Sequence, residues 1–249
     1  MNPKFAIVFG NKSVTGTAVL ISERVLMLGA LAAFSSFLVA QNNGLQEKVA
    51  AVKQSMMENK QKLHQYQWIE TTQLTLKGDQ KPPTQDICQY GPDGQVQKTP
   101  IGPPPAEPSG GRMKQRIIEK KKGEMKEYMG EVKGLLAMYV PPDPQRIEQA
   151  RQAGKISFNP VGTGMNLIIR DYVQPGDQMT LSFDTAAKKL VSLDINTYMG
   201  NTKDVVTLQS QMAGLPDGTN YVQRTVLNAS AKHLVATTTN SNYRKPGSF

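Results

Sequence analysis

A chain of 249 residues, 39% of them hydrophobic, is long enough for one domain with a real core, or at most two small ones. Cys88 is the only cysteine, which excludes an intrachain disulfide framework and leaves the core to hold the fold. The 29 basic residues against 20 acidic ones, net +9, fit anionic lipid headgroups, lipopolysaccharide or cell-wall polymers better than nucleic acid, or simply keep the protein soluble.

From Val25 to Ala40 the chain carries no charge, with Arg24 immediately before the run and Gln41-Asn42-Asn43 after it. A positive flank, a short apolar stretch and a small residue followed by polar ones predict a secretory signal cut between Ala40 and Gln41. An uncleaved signal anchor is the alternative; a full span needs roughly 20 apolar residues. Both place residues 41–249 in the periplasm or outside the cell. Loss of Lys4, Lys12, Glu23 and Arg24 with the leader leaves a mature charge of +7. Cys88 lies far from the apolar run, where a lipid-modified cysteine would stand, and is expected to be buried.

Leu45 to Gln65 has helical spacing, with Leu45, Val49, Val52, Met56 and Leu63 set among charged residues. The period then changes to two in YQWIETTQLTLKGD, where Tyr66, Trp68, Thr72, Leu74 and Leu76 carry the bulk, predicting a half-buried strand. Residues 84 to 101 read as a hairpin about Gly91-Pro92-Asp93-Gly94. The Pro/Gly-rich stretch 101–111 is expected to be an exposed loop.

Arg112 to Tyr139 predicts a helix with Met113, Ile117, Met125, Tyr128, Val132, Leu135 and Leu136 as its apolar stripe. Lys120, Lys121 and Lys122 lie opposite, as a solvated face or as contacts to an anionic membrane surface. A short helix follows, with Asp143 as N-cap, Pro144 in its first turn and Gly154 just past its end.

After Lys155 the chain alternates: six or seven strand-like runs rich in Thr, Val, Leu and Tyr, joined by short polar links. Links of that length connect antiparallel neighbours. One face of this meander reads as apolar, through Met179, Leu181, Phe183, Val191, Leu193, Ile195, Val206, Leu208, Met212, Val222 and Val226. The expected fold class is therefore α+β: a curved antiparallel sheet, an open half-barrel, covered on one face by helices in a single domain over 41–249.

The chemical motifs are sparse. His64 and His233 lack ligand neighbours at zinc spacing, and no metal site or cofactor is expected. Gly162-Thr163-Gly164 precedes a strand rather than a helix, which predicts a turn or bulge and not a nucleotide loop. No nucleophile or phosphate-loop pattern is found, so the chain is not expected to be an enzyme.

The passages KLHQYQWIETTQLTLKG, CQYGPDGQVQKTP and DQMTLSFDTAAKKLVSLDINTY, in that order behind a signal segment, resemble the periplasmic lipoprotein-carrier superfamily. That superfamily includes lipoprotein-sorting chaperones and lipid-sensing regulators of envelope stress. The chain also has the look of an exported bacterial family with no activity to carry over. The carrier resemblance implies an unclosed barrel that holds an acyl chain or lipoprotein in its concave face, with Trp68, Leu74, Phe183 and Leu193 as candidate lining. The competing expectation is an interaction module with a solid core, docking a protein or anionic polymer through its basic helix or Pro-rich loop. Neither involves nucleic acid, and neither specifies an oligomeric state.

Overall fold

The structure, a computed structural model, describes residues 58–102, 112–187 and 189–246. The signal segment with Ala40 and Gln41, most of the helix expected over 45–65, and residues 103–111 of the Pro/Gly-rich loop lie outside the described residues.

Residues 58–63 are helical and feed through a turn into strand β1 (Gln67–Leu76). There follow β2 (Asp79–Gln80), β3 (Thr84–Tyr90), β4 (Val96–Ile101), helix α1 (Arg112–Leu136) and helix α2 (Pro144–Gln152). The meander comprises β5 (Ile156–Val161), β6 (Gly164–Arg170), β7 (Gln178–Asp184), β8 (Lys189–Tyr198), β9 (Val205–Gly214), β10 (Asn220–Ala229) and β11 (Leu234–Arg244). All eleven strands join one antiparallel, curved and unclosed sheet in the order β4-β3-β1-β11-β10-β9-β8-β7-β6-β5, with β2 on β1. The last strand, β11, pairs β1 along nearly its whole length and so locks the meander to the N-terminal hairpin.

Local chemistry explains the boundaries. Asp143 accepts a hydrogen bond from Gln145 N at 2.8 Å, satisfying an otherwise orphaned amide at the start of α2. Gly162 takes φ +56 in the two-residue turn between β5 and β6. At Gly164 an added Cβ would sit 2.6 Å from the Phe183 carbonyl oxygen, so the close approach of β6 to β7 needs glycine there. The GTG segment is thus a hairpin turn feeding a strand.

The inner face carries an apolar core built from Leu74 and Leu76 of β1, Leu167 and Ile169 of β6, Met179 and Leu181 of β7, Leu193 and Ile195 of β8, Val206 and Leu208 of β9, Leu227 of β10 and Leu234 of β11. Tyr128, Val132, Leu136 and Tyr139, from the end of α1 and just past it, and Ile147 of α2 share this cluster. That is the extent of helical cover seen among the described residues. Each aliphatic side chain fully withdrawn from water there is worth about 1.5–3 kcal/mol.

Three expectations need correction. Val191 is 46% exposed, because a bulge between Ser182 and Phe183 sets Leu190 opposite Phe183 and turns it inward instead. Val226 is only half-buried: a bulge between Val222 and Arg224 flips the parity, so Thr225 and Leu227 are the buried neighbours. Ile117 is 52% exposed and leaves the stripe of α1, in which Tyr128 is the first buried side chain among the described residues.

Candidate functional site

Strand parity puts more than hydrocarbon on the inner face. In β1 the buried positions are Trp68, Glu70, Thr72, Leu74 and Leu76, so one strand runs from an indole through a carboxylate and a hydroxyl into the apolar core. Thr72 stands opposite Thr238, Thr238 opposite Thr225, and Thr225 opposite Ser210. Their hydroxyls meet at 3.5 Å (Thr72 to Thr238) and 3.2 Å (Ser210 to Thr225), a row crossing β1, β11, β10 and β9. On one side of this row lies the core. On the other lies a polar and aromatic patch.

Glu70, 1% exposed, is the centre of that patch. Its Oε1 accepts from Lys98 Nζ of β4 at 2.7 Å. Across the strand pairings it faces Asp86 of β3 on one side and Asn240 of β11 on the other. Burial raises the Glu70 carboxyl above its ordinary value, an effect larger than the opposing pull of Lys98, and it raises Asp86 in the same way. Asn240 donates through Nδ2 to the Val222 carbonyl at 2.9 Å.

Beyond Glu70 the patch becomes aromatic. Trp68 stacks on Tyr243 with ring centroids 5.5 Å apart and lies 5.4 Å from Tyr90. Tyr221 approaches Tyr243 at 4.4 Å, and His64 stacks on Tyr90 at 4.1 Å. His64 is held below its ordinary pKa by burial and by the charge of Lys60. Cys88, opposite both Trp68 and Lys98 in the ladder, is fully buried as its free-thiol character suggested.

Buried polar atoms are normally partnered, and an orphan costs about 1–3 kcal/mol. Among the described residues, seven buried side-chain atoms have no hydrogen-bond partner: His64 Nε2, Trp68 Nε1, Glu70 Oε2, Thr84 Oγ1, Ser157 Oγ, Thr219 Oγ1 and Asn240 Oδ1. Five of them, all but those of Ser157 and Thr219, belong to residues on or stacked against the β3–β1–β11 end of the inner face. Such an atom is answered by an ordered water, an ion or a ligand.

A second polar centre is saturated. Asp177, 2% exposed, accepts from the amides of Tyr172, Val173 and Gln174 at 2.6, 2.9 and 2.8 Å and from the Tyr139 hydroxyl at 2.5 Å. Tyr139 also meets Thr197 Oγ1 at 2.7 Å. This knot ties the β6–β7 loop to the end of α1 and has no valence left for a ligand.

The four lining residues expected from the sequence divide. Leu74 and Leu193 lie inside the apolar core and Phe183 packs half-buried against it. Trp68 stands apart, beyond the hydroxyl row. A cavity of about 230 Å³ beside Trp68 is lined also by Gln67, Ile69, Ile87, Asn242 and Arg244. It is smaller than the roughly 300–1,000 Å³ of ordinary ligand pockets, and Gln67, Ile69 and Ile87 alternate with the buried positions of their strands, so they face outward. Lys120 and Lys121 are exposed on α1 and Lys122 is half-buried. Among the described residues, no three His, Cys, Asp or Glu side chains gather as metal ligands. No described helix is long and apolar enough to cross a membrane.

Sequence reasoning passed over Glu70, Asp86, Lys98 and Asn240. The signal was present for Glu70, which shares the parity of Trp68 and Thr72 in the same strand.

No family model matches this chain, and no curated protein does. Among solved structures it is similar to a DUF1329 family protein from Desulfovibrio piger, at 12% identity over 78% of this chain and 91% of that one, with a TM-score of 0.39. A likeness at that level does not place the chain in that family.

Proposed function

We propose that this chain is a non-catalytic binding protein, a carrier or sensor for an amphipathic ligand held at the Trp68–Glu70 end of the inner face. The observation that carries the reading is the set of four unpartnered buried polar atoms, on His64, Trp68, Glu70 and Asn240, at the end of the inner face where the rings stack, on an unclosed sheet. A polar headgroup meets the orphaned atoms and its apolar chain lies along Trp68, Tyr90 and Tyr243. Side chains of α1 and α2 share the apolar cluster on the other half of the face, which favours a ligand beyond the hydroxyl row. The resemblance to the lipoprotein carriers, which implies a ligand in the concave face, and the signal-like segment before Gln41 agree with a lipid or lipoprotein ligand met outside the cytoplasm.

Native mass spectrometry of the protein purified from its own host tests this. A co-purifying amphiphile bound one to one is the expected result. A clean ligand-free mass, together with Trp68 emission that is indifferent to long-chain amphiphiles of any head charge, overturns it; Trp68 is the only tryptophan and reports on the site directly.

A second reading rests on α1. Of the side chains described between 116 and 127, only Lys122 and Met125 are even half-buried, so this stretch stands clear of the core with a basic excess. That exposure favours an envelope-docking module whose partner is an anionic surface. Loss of sedimentation with anionic vesicles in a Lys120→Glu, Lys121→Glu double variant is its expected signature.

A further inference from the structure

We infer that residues 58–66 form a gate over the Trp68 end of the inner face, held shut at the β9–β10 turn and able to swing clear while the sheet stays folded. That the gate admits a ligand rests on the binding role proposed above; that it opens rests on its own contacts.

The first observation is where the segment lies. Asn59 pairs with the backbone of Asn220 at the start of β10 in both directions: its Nδ2 donates to the Asn220 carbonyl at 2.8 Å, and its Oδ1 accepts from the Asn220 amide at 2.5 Å. Further along, His64 stacks on Tyr90 at the end of β3, and a Cβ added at Gly94 in the β3–β4 turn would stand 3.7 Å from His64 Cε1. In the sheet, β11 and β1 lie between β10 and β3. A segment fastened to the outer two of these neighbouring strands crosses the ends of the inner two. Tyr90 shares the inward parity of Asp86 and Cys88, so the crossing is on the inner side. Trp68, 5.4 Å from Tyr90, and Cys88, opposite Trp68 in the ladder, lie beside it and are 5% and 0% exposed.

The second observation is what holds the segment. Its one buried apolar side chain among the described residues is Leu63, and Leu63 is outside the cluster that α1 and α2 share with the sheet. Glu58, Lys60, Gln61, Lys62 and Gln65 are exposed. The remaining described hold is polar: Asn59 on Asn220, the Tyr66 hydroxyl donating to Asp217 Oδ2 at 2.7 Å, and Lys245 Nζ over the Tyr66 ring at 5.4 Å. Asp217 lies in the β9–β10 turn and Asn220 just past it, so a single turn is the catch. The Tyr66–Asp217 bond is exposed, where water competes for both partners. Ordering the backbone costs entropy at every residue, and one leucine with a few polar contacts offsets little of it. Segments held in this way open locally, far more often than the whole molecule unfolds. Strand β1, which follows, is laddered to β11 and β3 and stays in place, so the hinge falls at its start. Swung clear, the segment takes His64 with it and leaves Tyr90 and Trp68 open to an incoming apolar chain.

Cys88 is the only cysteine and reports opening without a ligand. The experiment follows alkylation of Cys88 by iodoacetamide in the intact chain, at urea concentrations well below the unfolding transition. A local opening exposes little surface, so the rate is expected to be nearly flat with urea; labelling through global unfolding climbs with the full slope of the transition. Asn59→Ala, which removes both bonds to Asn220, is expected to speed labelling about tenfold, and Tyr66→Phe about threefold. Leu193→Ala weakens the core and leaves the gate alone, so its rate is expected to stay within about twofold of the unaltered chain.

A rate in the unaltered chain that climbs with the full unfolding slope overturns the gate. So does a flat rate that Asn59→Ala and Tyr66→Phe leave unchanged, since Cys88 is then reached by another opening, such as fraying of the β3–β4 hairpin. Acceleration by Leu193→Ala equal to that by Asn59→Ala overturns it as well. Each of these results leaves the binding role standing, which the mass of the host-purified protein tests separately; a ligand-free mass beside a flat, Asn59-sensitive rate overturns the binding role and keeps the opening. Where Asn59→Ala does not fold, Tyr66→Phe and the urea slope of the unaltered chain decide the matter.

Discussion

The two ends of the inner face are made from the same strands and obey opposite rules. Toward Leu76, Leu208 and Ile195 the inward positions are chiefly hydrocarbon, side chains of α1 and α2 share the cluster, and the buried polar groups there, Asp177, Tyr139 and Thr197, are hydrogen-bonded to one another. Toward Trp68 and Asn240 the inward positions are a carboxylate, an amide, an indole and phenols, several with unanswered valences. Between them runs the row Thr72, Thr238, Thr225 and Ser210, whose hydroxyls answer one another. The difference shows how an antiparallel sheet can assign stability to one end and recognition to the other. The apolar end is closely packed, and a gap there costs stability. The other end carries an electrostatic cost that a purely structural surface would have shed.

The comparison predicts large losses wherever the closed end is opened. Asp177→Ala should do most damage, because three backbone amides and the Tyr139 hydroxyl lose one common acceptor in a buried loop. More than about 4 kcal/mol of unfolding free energy is expected to disappear in urea titration, among the largest effects a single substitution produces. Leu193→Ala comes next. Its side chain is fully buried, and the cavity left behind should cost about 3 kcal/mol without moving Trp68 emission, since β9, β10 and β11 stand between β8 and β1.

At the open end the expected signature is a pH dependence. Burial raises the folded-state pKa of Glu70 above its ordinary value of 4.5, so the native protein binds a proton there more strongly than the unfolded chain does. Stability contributed by that proton is complete below about pH 4.5 and is lost as pH rises through the raised folded value. Chemical denaturation of the unaltered protein and of Glu70→Gln across this range should therefore show the variant gaining relative stability as pH increases. A difference that is flat with pH would mean that Lys98 fully offsets the burial, and would remove the contrast between the two ends.

Much of this molecule could be read from residue order, and what escaped has a common cause. Period-two alternation located β1, the β3–β4 hairpin and the meander, and Asp143-Pro144 with Gly154 bounded α2, because these signals are local. The polar patch was not visible in that way: Glu70, Asp86, Lys98 and Asn240 come from four strands, and β1 and β11, which oppose Glu70 to Asn240, lie at opposite ends of the chain. Pairing between remote strands is a property of register, which alternation within one strand does not specify. Glu70 alone was within reach, through its parity with Trp68.

The bulges provide the smallest and most discriminating test, because they mark where counting by twos fails. In KLVSLDINTY strict alternation backward from Leu193 puts Val191 inside and Leu190 outside; the bulge opposite Ser182 and Phe183 reverses them, leaving Leu190 3% and Val191 46% exposed. Val191→Thr should then shift stability by no more than about 0.5 kcal/mol, the usual range for a surface position outside special features. Leu190→Thr, which takes a leucine out of the core and buries a hydroxyl, should cost at least about 2 kcal/mol. A larger cost at Val191 than at Leu190 would mean that β8 runs in unbroken register with β7. Leu190, the one inward residue of β8 before the bulge, would then leave the core and Val191 would take its place.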